Sequence, residues 1–144
     1  MISIGIDISK GKSMICILKP YGEVIIKTFE IQHTEKDLLE LSESKRLDDE
    51  VRVVMEATGN YHLPVLSVLK EGGHFVSVIN PLVMKKYVST ALRKGKTDKL
   101  DSIKIANYGL DHWFNIQNQE MSEETYTQLR LLGNSLPSLW TYRF

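Results

Sequence analysis

The sequence predicts an α/β domain built on a mixed five-stranded sheet, three antiparallel strands followed by two parallel ones, with helices on both faces. Three observations carry that expectation. Residues 1–8 alternate Ile2, Ile4, Ile6 and Ile8 with Ser3, Gly5 and Asp7, the period of a strand. Two further strand-like runs follow across connections short enough for hairpins. Beyond residue 50, short and nearly all-apolar runs alternate with helical patterns, as parallel strands covered on both faces do.

Residues 13–19 (SMICILK) form the second strand, Pro20-Tyr21-Gly22 a turn, and residues 23–31 (EVIIKTFEI) the third strand. Thr34 stands three residues before Asp37 and ahead of Leu38, Leu39 and Leu41, the pattern of an N-cap with an acid in the first turn; it opens a helix to about Arg46. Residues 51–57 (VRVVMEA) read as a buried strand, Thr58-Gly59-Asn60 as a turn, and residues 62–71 (HLPVLSVLKE) as a helix stopped by Gly72-Gly73. Residues 74–79 form the fifth strand, closed by Asn80-Pro81, and a helix runs from Leu82 to about Arg93. After the loop Lys94-Gly95-Lys96, Thr97 caps a helix to about Leu110. In the tail, Ser122 with Glu123 and Glu124 caps a helix through Leu132, beyond which Gly133, Pro137, Trp140, Tyr142 and Phe144 break the pattern.

Strands reached through helical crossovers lie parallel to their neighbours. The resulting order, β-β-β-α-β-α-β-α-α, matches the ribonuclease-H-like fold and also half of an actin-like ATPase. The domain is expected over residues 1–115, with 116–144 a helical or irregular tail.

A chain of 144 residues makes one ordinary domain. Its 18 basic residues balance 18 acidic ones, which excludes a uniformly basic nucleic-acid coat but not a local patch. Residues 30–56 carry nine acids against four bases, whereas residues 84–105 carry seven bases against Asp98 and Asp101. A basic stretch of that kind suits either a phosphate backbone or a solvated Lys-rich surface. The lone Cys16 excludes a disulfide framework and a cysteine-rich zinc module, and its alternation with Met14 and Leu18 assigns it to packing. There is no basic n-region before Asp7 and no long apolar run, so the chain is expected to be soluble and intracellular.

Three weaker patterns are set aside. Residues 6–13 (IDISKGKS) nearly spell a phosphate-binding loop, but Ile6 stands where the first glycine belongs and the segment joins two hairpin strands. His33, His62, His74 and His112 lack the spacing or cysteine partners of a zinc site. Trp113, Phe114 and Trp140 read as core or subunit interface rather than base-stacking platforms.

Four acids remain. Asp7 falls inside an apolar strand, Glu56 ends the next buried strand, and Asp98 and Asp101 lie three apart on one helix face. Each alone has an ordinary explanation as a cap, a strand-end carboxylate or a helix-surface acid. Taken together, with the first strand beside the fourth, Asp7 and Glu56 meet at one end of the sheet and the helix closes over them. Converging carboxylates repel unless a divalent cation joins them, and hard oxygen donors suit magnesium or manganese. Such ions serve phosphodiester cleavage.

Residues 5–10 (GIDISK), 55–61 (MEATGNY) and 94–101 (KGKTDKLD) together resemble the DEDD transposases of bacterial insertion sequences, the family that includes the bridge-RNA-guided recombinases. The likeness covers about residues 1–110. It implies a domain similar to the RuvC Holliday-junction resolvases, with Asp7, Glu56, Asp98 and Asp101 as an acidic tetrad binding Mg2+, or Mn2+ in its place. It further implies DNA transposition as the activity, a bacterial, nucleoid-associated setting, DNA and a guide RNA as partners, and a homo-oligomer, dimeric or higher. Lys85, Lys86, Arg93, Lys94, Lys96 and Lys99 are expected at the nucleic acid, from their charge and adjacency. Family members continue through a long helical segment into a second catalytic domain that contributes a serine nucleophile. This chain stops at Phe144, so a truncated product or excised domain, inactive by itself, is expected. The alternatives are a non-catalytic module that binds nucleic acid or self-associates and, more remotely, half of an actin-like ATPase.

Overall fold

In the computed structural model, which describes residues 1–20, 24–43, 50–90 and 101–120, the sheet is the expected one. Its strands are β1 (Ile2–Ser9), β2 (Lys12–Leu18), β3 (Val24–Gln32), β4 (Val51–Glu56) and β5 (Phe75–Ile79), in the spatial order β3-β2-β1-β4-β5. β1–β2 and β2–β3 pair antiparallel, whereas β1–β4 and β4–β5 pair parallel. The first hairpin turns at Gly11, whose φ of 77° lies in the left-handed region that favours glycine.

The helices are α1 (Glu35–Glu43), α2 (Leu63–Glu71), α3 (Pro81–Thr90) and α4 (Asp101–Asp111). Thr34 does cap α1: its Oγ1 accepts from the Asp37 amide at 3.2 Å, while Asp37 Oδ2 accepts from the Gln32 amide at 2.9 Å. Two helix starts differ by a residue for local reasons. α3 begins at Pro81, because proline's fixed φ and missing N–H suit a first helical position. His62 precedes α2, and its ring Nδ1 accepts from the Thr58 amide at 3.4 Å. The expected ends of α1 and α3, the start of α4, Tyr21 and Gly22 of the expected Pro20-Tyr21-Gly22 turn, and the tail beyond 120 lie outside the described residues.

Strand alternation divides the core. Ile2, Ile4, Ile6, Ile15, Val53, Met55 and Val76 pack with Leu38, Leu41 and the apolar face of α2. On the opposite face, Val54 and Ile79 pack with Met84 of α3 and with Ile105 and Tyr108 of α4. Cys16 is fully buried there against Ala106. Trp113 is buried as expected, but Phe114 is 85% exposed. After α4 the chain turns back along β5, where Gln119 N donates to Val76 O at 2.7 Å and Asn118 Oδ1 accepts from Val76 N at 3.0 Å. Among the described residues no helix is long and apolar enough to cross a membrane.

Candidate metal centre

Parallel register decides where the first two acids meet. Gly5 lies opposite Val54 and Ile6 opposite Met55, so Asp7 and Glu56 come next in line at the carboxyl ends of adjacent strands. That end of an open α/β sheet is where ligands usually sit. Both acids share the sheet face on which Ser3 Oγ donates to Ala106 O at 2.7 Å, the face covered by α4.

The third acid arrives because α4 lies unusually close to β1. A Cβ on Gly5 would overlap the Ser102 carbonyl oxygen and the Ala106 amide nitrogen. A Cβ on Gly109, two turns further along the helix, would overlap Ser3 Oγ and crowd Val54 Cγ2 at 2.8 Å. One glycine on the strand and one on the helix thus let the two backbones approach. Asp101, in the first turn of α4, is delivered to the strand ends beside Asp7 and Glu56.

The electrostatics register that convergence. Burial pushes the Asp7 carboxyl above its ordinary value, and the Asp101 carboxylate pushes it further. Burial likewise raises Glu56, with Asp101 and then Asp7 adding to the shift. Desolvation and like charge both disfavour the ionised form. Asp101 is more open, with a side chain 63% exposed, and Lys104 Nζ stands 3.7 Å from its Oδ1.

A groove of about 340 Å³ runs from this centre between α3 and α4. Glu56 and Asp101 stand on it with Lys85, Lys104 and Ser89. Lys85 and Lys86 are both exposed on α3. Asp98, Arg93, Lys94, Lys96 and Lys99 lie outside the described residues.

In donor chemistry Asp7, Glu56 and Asp101 fit a hard divalent cation, since all three offer oxygen and each is a carboxylate. Among the described residues, however, no three His, Cys, Asp or Glu side chains come together closely enough to hold a metal. The histidines serve the fold: His33 Nε2 pairs with Ser13 Oγ at 2.7 Å, His74 Nε2 with the Ser42 carbonyl at 2.8 Å, and His112 stacks on Tyr108.

Two features of the site were not singled out by sequence reasoning. Lys104 counted only toward the basic stretch, although its i,i+3 spacing from Asp101 signals an ion pair. Gly5 enters the sequence reading as an alternation position and as the first residue of the GIDISK block, although an isolated glycine in a strand also signals a close backbone approach.

A family profile for transposases of the IS110 DEDD type matches residues 4–140. A pilin gene-inverting protein of Moraxella bovis is 36% identical over 59 residues, which are 41% of this chain and 18% of that protein. The chain thus spans less than a fifth of that relative's length. Among solved structures, Thermus thermophilus RuvC superposes with a TM-score of 0.57 at 14% identity, over 83% of this chain and 100% of RuvC. T. thermophilus RuvC in complex with a Holliday junction substrate gives 0.56 at 12% identity, over 83% and 99%. At such identities the likeness establishes the fold, which is ribonuclease-H-like and specifically RuvC-like.

Proposed function

The chain belongs to the IS110-type DEDD transposases, and from that premise we propose that it is their N-terminal catalytic domain, holding Mg2+ at a scissile DNA phosphate. The observation that carries this reading is the parallel register that sets Asp7 and Glu56 side by side on β1 and β4, with Asp101 near enough for its charge to raise both carboxyls further than burial alone does. Asp98 completes the tetrad as the fourth carboxylate. A bound divalent cation would supply charge neutralisation at the phosphate and activation of the attacking oxygen. The protein's own part is to fix the carboxylates on rigid elements, to hold them poised for a cation, and to present cations along the groove. Lys85 and Lys86 on α3, with Arg93, Lys94, Lys96 and Lys99, contact the backbone of DNA or of a guide RNA. The assembled form is a homo-oligomer.

The test is strand cleavage by a full-length transposase carrying this domain. Asp7→Asn, Glu56→Gln, Asp98→Asn and Asp101→Asn each reduce Mg2+-dependent cleavage to background while the circular dichroism spectrum stays native. Undiminished cleavage by Asp7→Asn would overturn the assignment.

A second reading has one observation in its favour: no three donors among the described residues stand at metal-binding distance. In that reading the domain binds nucleic acid or self-associates without cutting it. DNA affinity that falls steeply with salt but ignores Mg2+, together with no cleavage, would favour it.

A further inference from the structure

Lys104 is the one basic side chain shown paired with the acidic centre among the described ion pairs. Its backbone is fixed, because α4 is pinned to the sheet by the Gly5 and Gly109 contacts and by Ser3. Its side chain is not fixed in the same way. An Nζ to Oδ1 separation of 3.7 Å is an ion pair too long for a hydrogen bond of good geometry. Lys104 is also the more sheltered member, 28% exposed against 63% for Asp101, and both side chains line the groove. Rotation about its four side-chain bonds carries the ammonium along the groove without any backbone movement.

An ammonium beside a carboxylate competes with any other cation for it. It also becomes available to another anion when that carboxylate is taken. Beside Glu56 and Asp101 the groove carries Lys85, Lys104 and Ser89, donors suited to a phosphodiester once a cation has taken the carboxylates.

We propose that Lys104 is an exchangeable internal counter-ion: it neutralises Asp101 in the free protein and transfers to a backbone phosphate in the α3–α4 groove when DNA and a divalent cation are bound. This inference rests on reading the acidic centre as a cation site. Lys104 is a positioning residue in this scheme. It offsets part of the charge with which Asp101 acts on Asp7 and Glu56 before substrate arrives, and afterwards it anchors the strand next to the centre. An ordinary helix-surface ion pair would do the first without the second.

The two halves of the proposal predict changes of opposite sign in one variant. Lys104→Met keeps the length of the stem and removes the charge, whereas Lys104→Arg keeps the charge. Mn2+ binding to the 144-residue chain is read by electron paramagnetic resonance, and binding of a short fluorescent DNA duplex by anisotropy. Lys104→Met binds Mn2+ about three- to tenfold more tightly than wild type, because a competing cation has gone. It binds the duplex in the presence of Mn2+ about three- to tenfold more weakly, because one phosphate is no longer neutralised. Lys104→Arg stays near wild type in both. A purely structural role moves both affinities down together or neither, and either of those results overturns the proposal. Mn2+ binding that depends on Asp7 but is unchanged by Lys104→Met overturns the exchange and leaves the cation site standing. Absence of Asp7-dependent Mn2+ binding in every variant overturns both.

Discussion

No side chain fits between Gly5 and Ser102: a Cβ on the strand residue would overlap the carbonyl oxygen of the helix residue. This contact sets the height of α4 above the sheet and, through it, the position of Asp101. Gly5→Ala therefore destabilises the domain by about 1–3 kcal/mol, the usual range for overpacking against atoms that cannot yield. Gly109→Ala meets side-chain atoms of Ser3 and Val54 instead of backbone, and costs less. Urea unfolding of both variants checks the ranking. Gly5→Ala also weakens Mn2+ binding more than its loss of stability accounts for.

Acid acts on this protein through two sets of groups with opposite signs. The Asp7 and Glu56 carboxyls are raised in the folded state from ordinary values of 3.8 and 4.5. The native chain therefore binds more protons than the unfolded one between those values and the raised ones, and in that window stability increases as pH falls. His33 and His62 are lowered by burial from 6.5, so the unfolded chain takes up their protons first. Stability is lost as pH falls from about 6.5 toward their native values. Asp7→Asn removes part of the gain and leaves the loss. Its Tm is higher than wild type at pH 7 without metal, and it declines more steeply on acidification. Scanning calorimetry across pH 4–8 reads both slopes.

How much of this was legible in the chain follows from which contacts are local. The isoleucine alternation from Ile2 to Ile8 and the apolar run ending at Glu56 specify strands by themselves, and short hairpins against long crossovers specify their directions. With those in hand, the meeting of Asp7 and Glu56 follows from parallel register. What the sequence did not disclose depends on partners far along the chain. The role of Gly5 requires knowing that Ala106 crosses it. The return of residues 118–119 along β5 rests on one side-chain amide and one backbone amide, which no periodicity announces. Phe114 looks like core by composition, yet it directly follows the buried Trp113 and points outward.

Lys85 and Lys86 are exposed on α3, and Lys85 lines the groove that leads from the acidic centre. The double variant Lys85→Ala/Lys86→Ala weakens DNA binding at moderate salt. It also lowers the slope of log affinity against log salt by about 0.9 for each phosphate that is no longer neutralised. Anisotropy titrations at several salt concentrations measure the slope. An unchanged slope would place the DNA on a different surface.

Arg52 is held between two rings, its guanidinium carbon 4.4 Å from the Phe75 centroid and 4.5 Å from that of Trp113. It also donates to the Trp113 carbonyl and pairs with Glu50 at 3.0 Å. Arg52→Lys keeps the charge but loses the flat, forked donor that suits this slot, at a cost of about 1–2 kcal/mol. Chemical denaturation measures the loss, and tryptophan fluorescence reports greater solvent access at Trp113 in the native state.

The same return of the chain has a consequence for how sheets from different molecules can meet. Val76 already gives its outward-facing N–H to Asn118 and its carbonyl to Gln119, so the middle of β5 offers no template to an incoming strand. β3 forms the other rim, where Glu30 reaches Lys12 across the strand pair at 3.6 Å. Lateral growth of the sheet, in ordered assembly or in aggregation, therefore meets a rim already engaged at Val76 on β5 and one that carries an ion pair on β3.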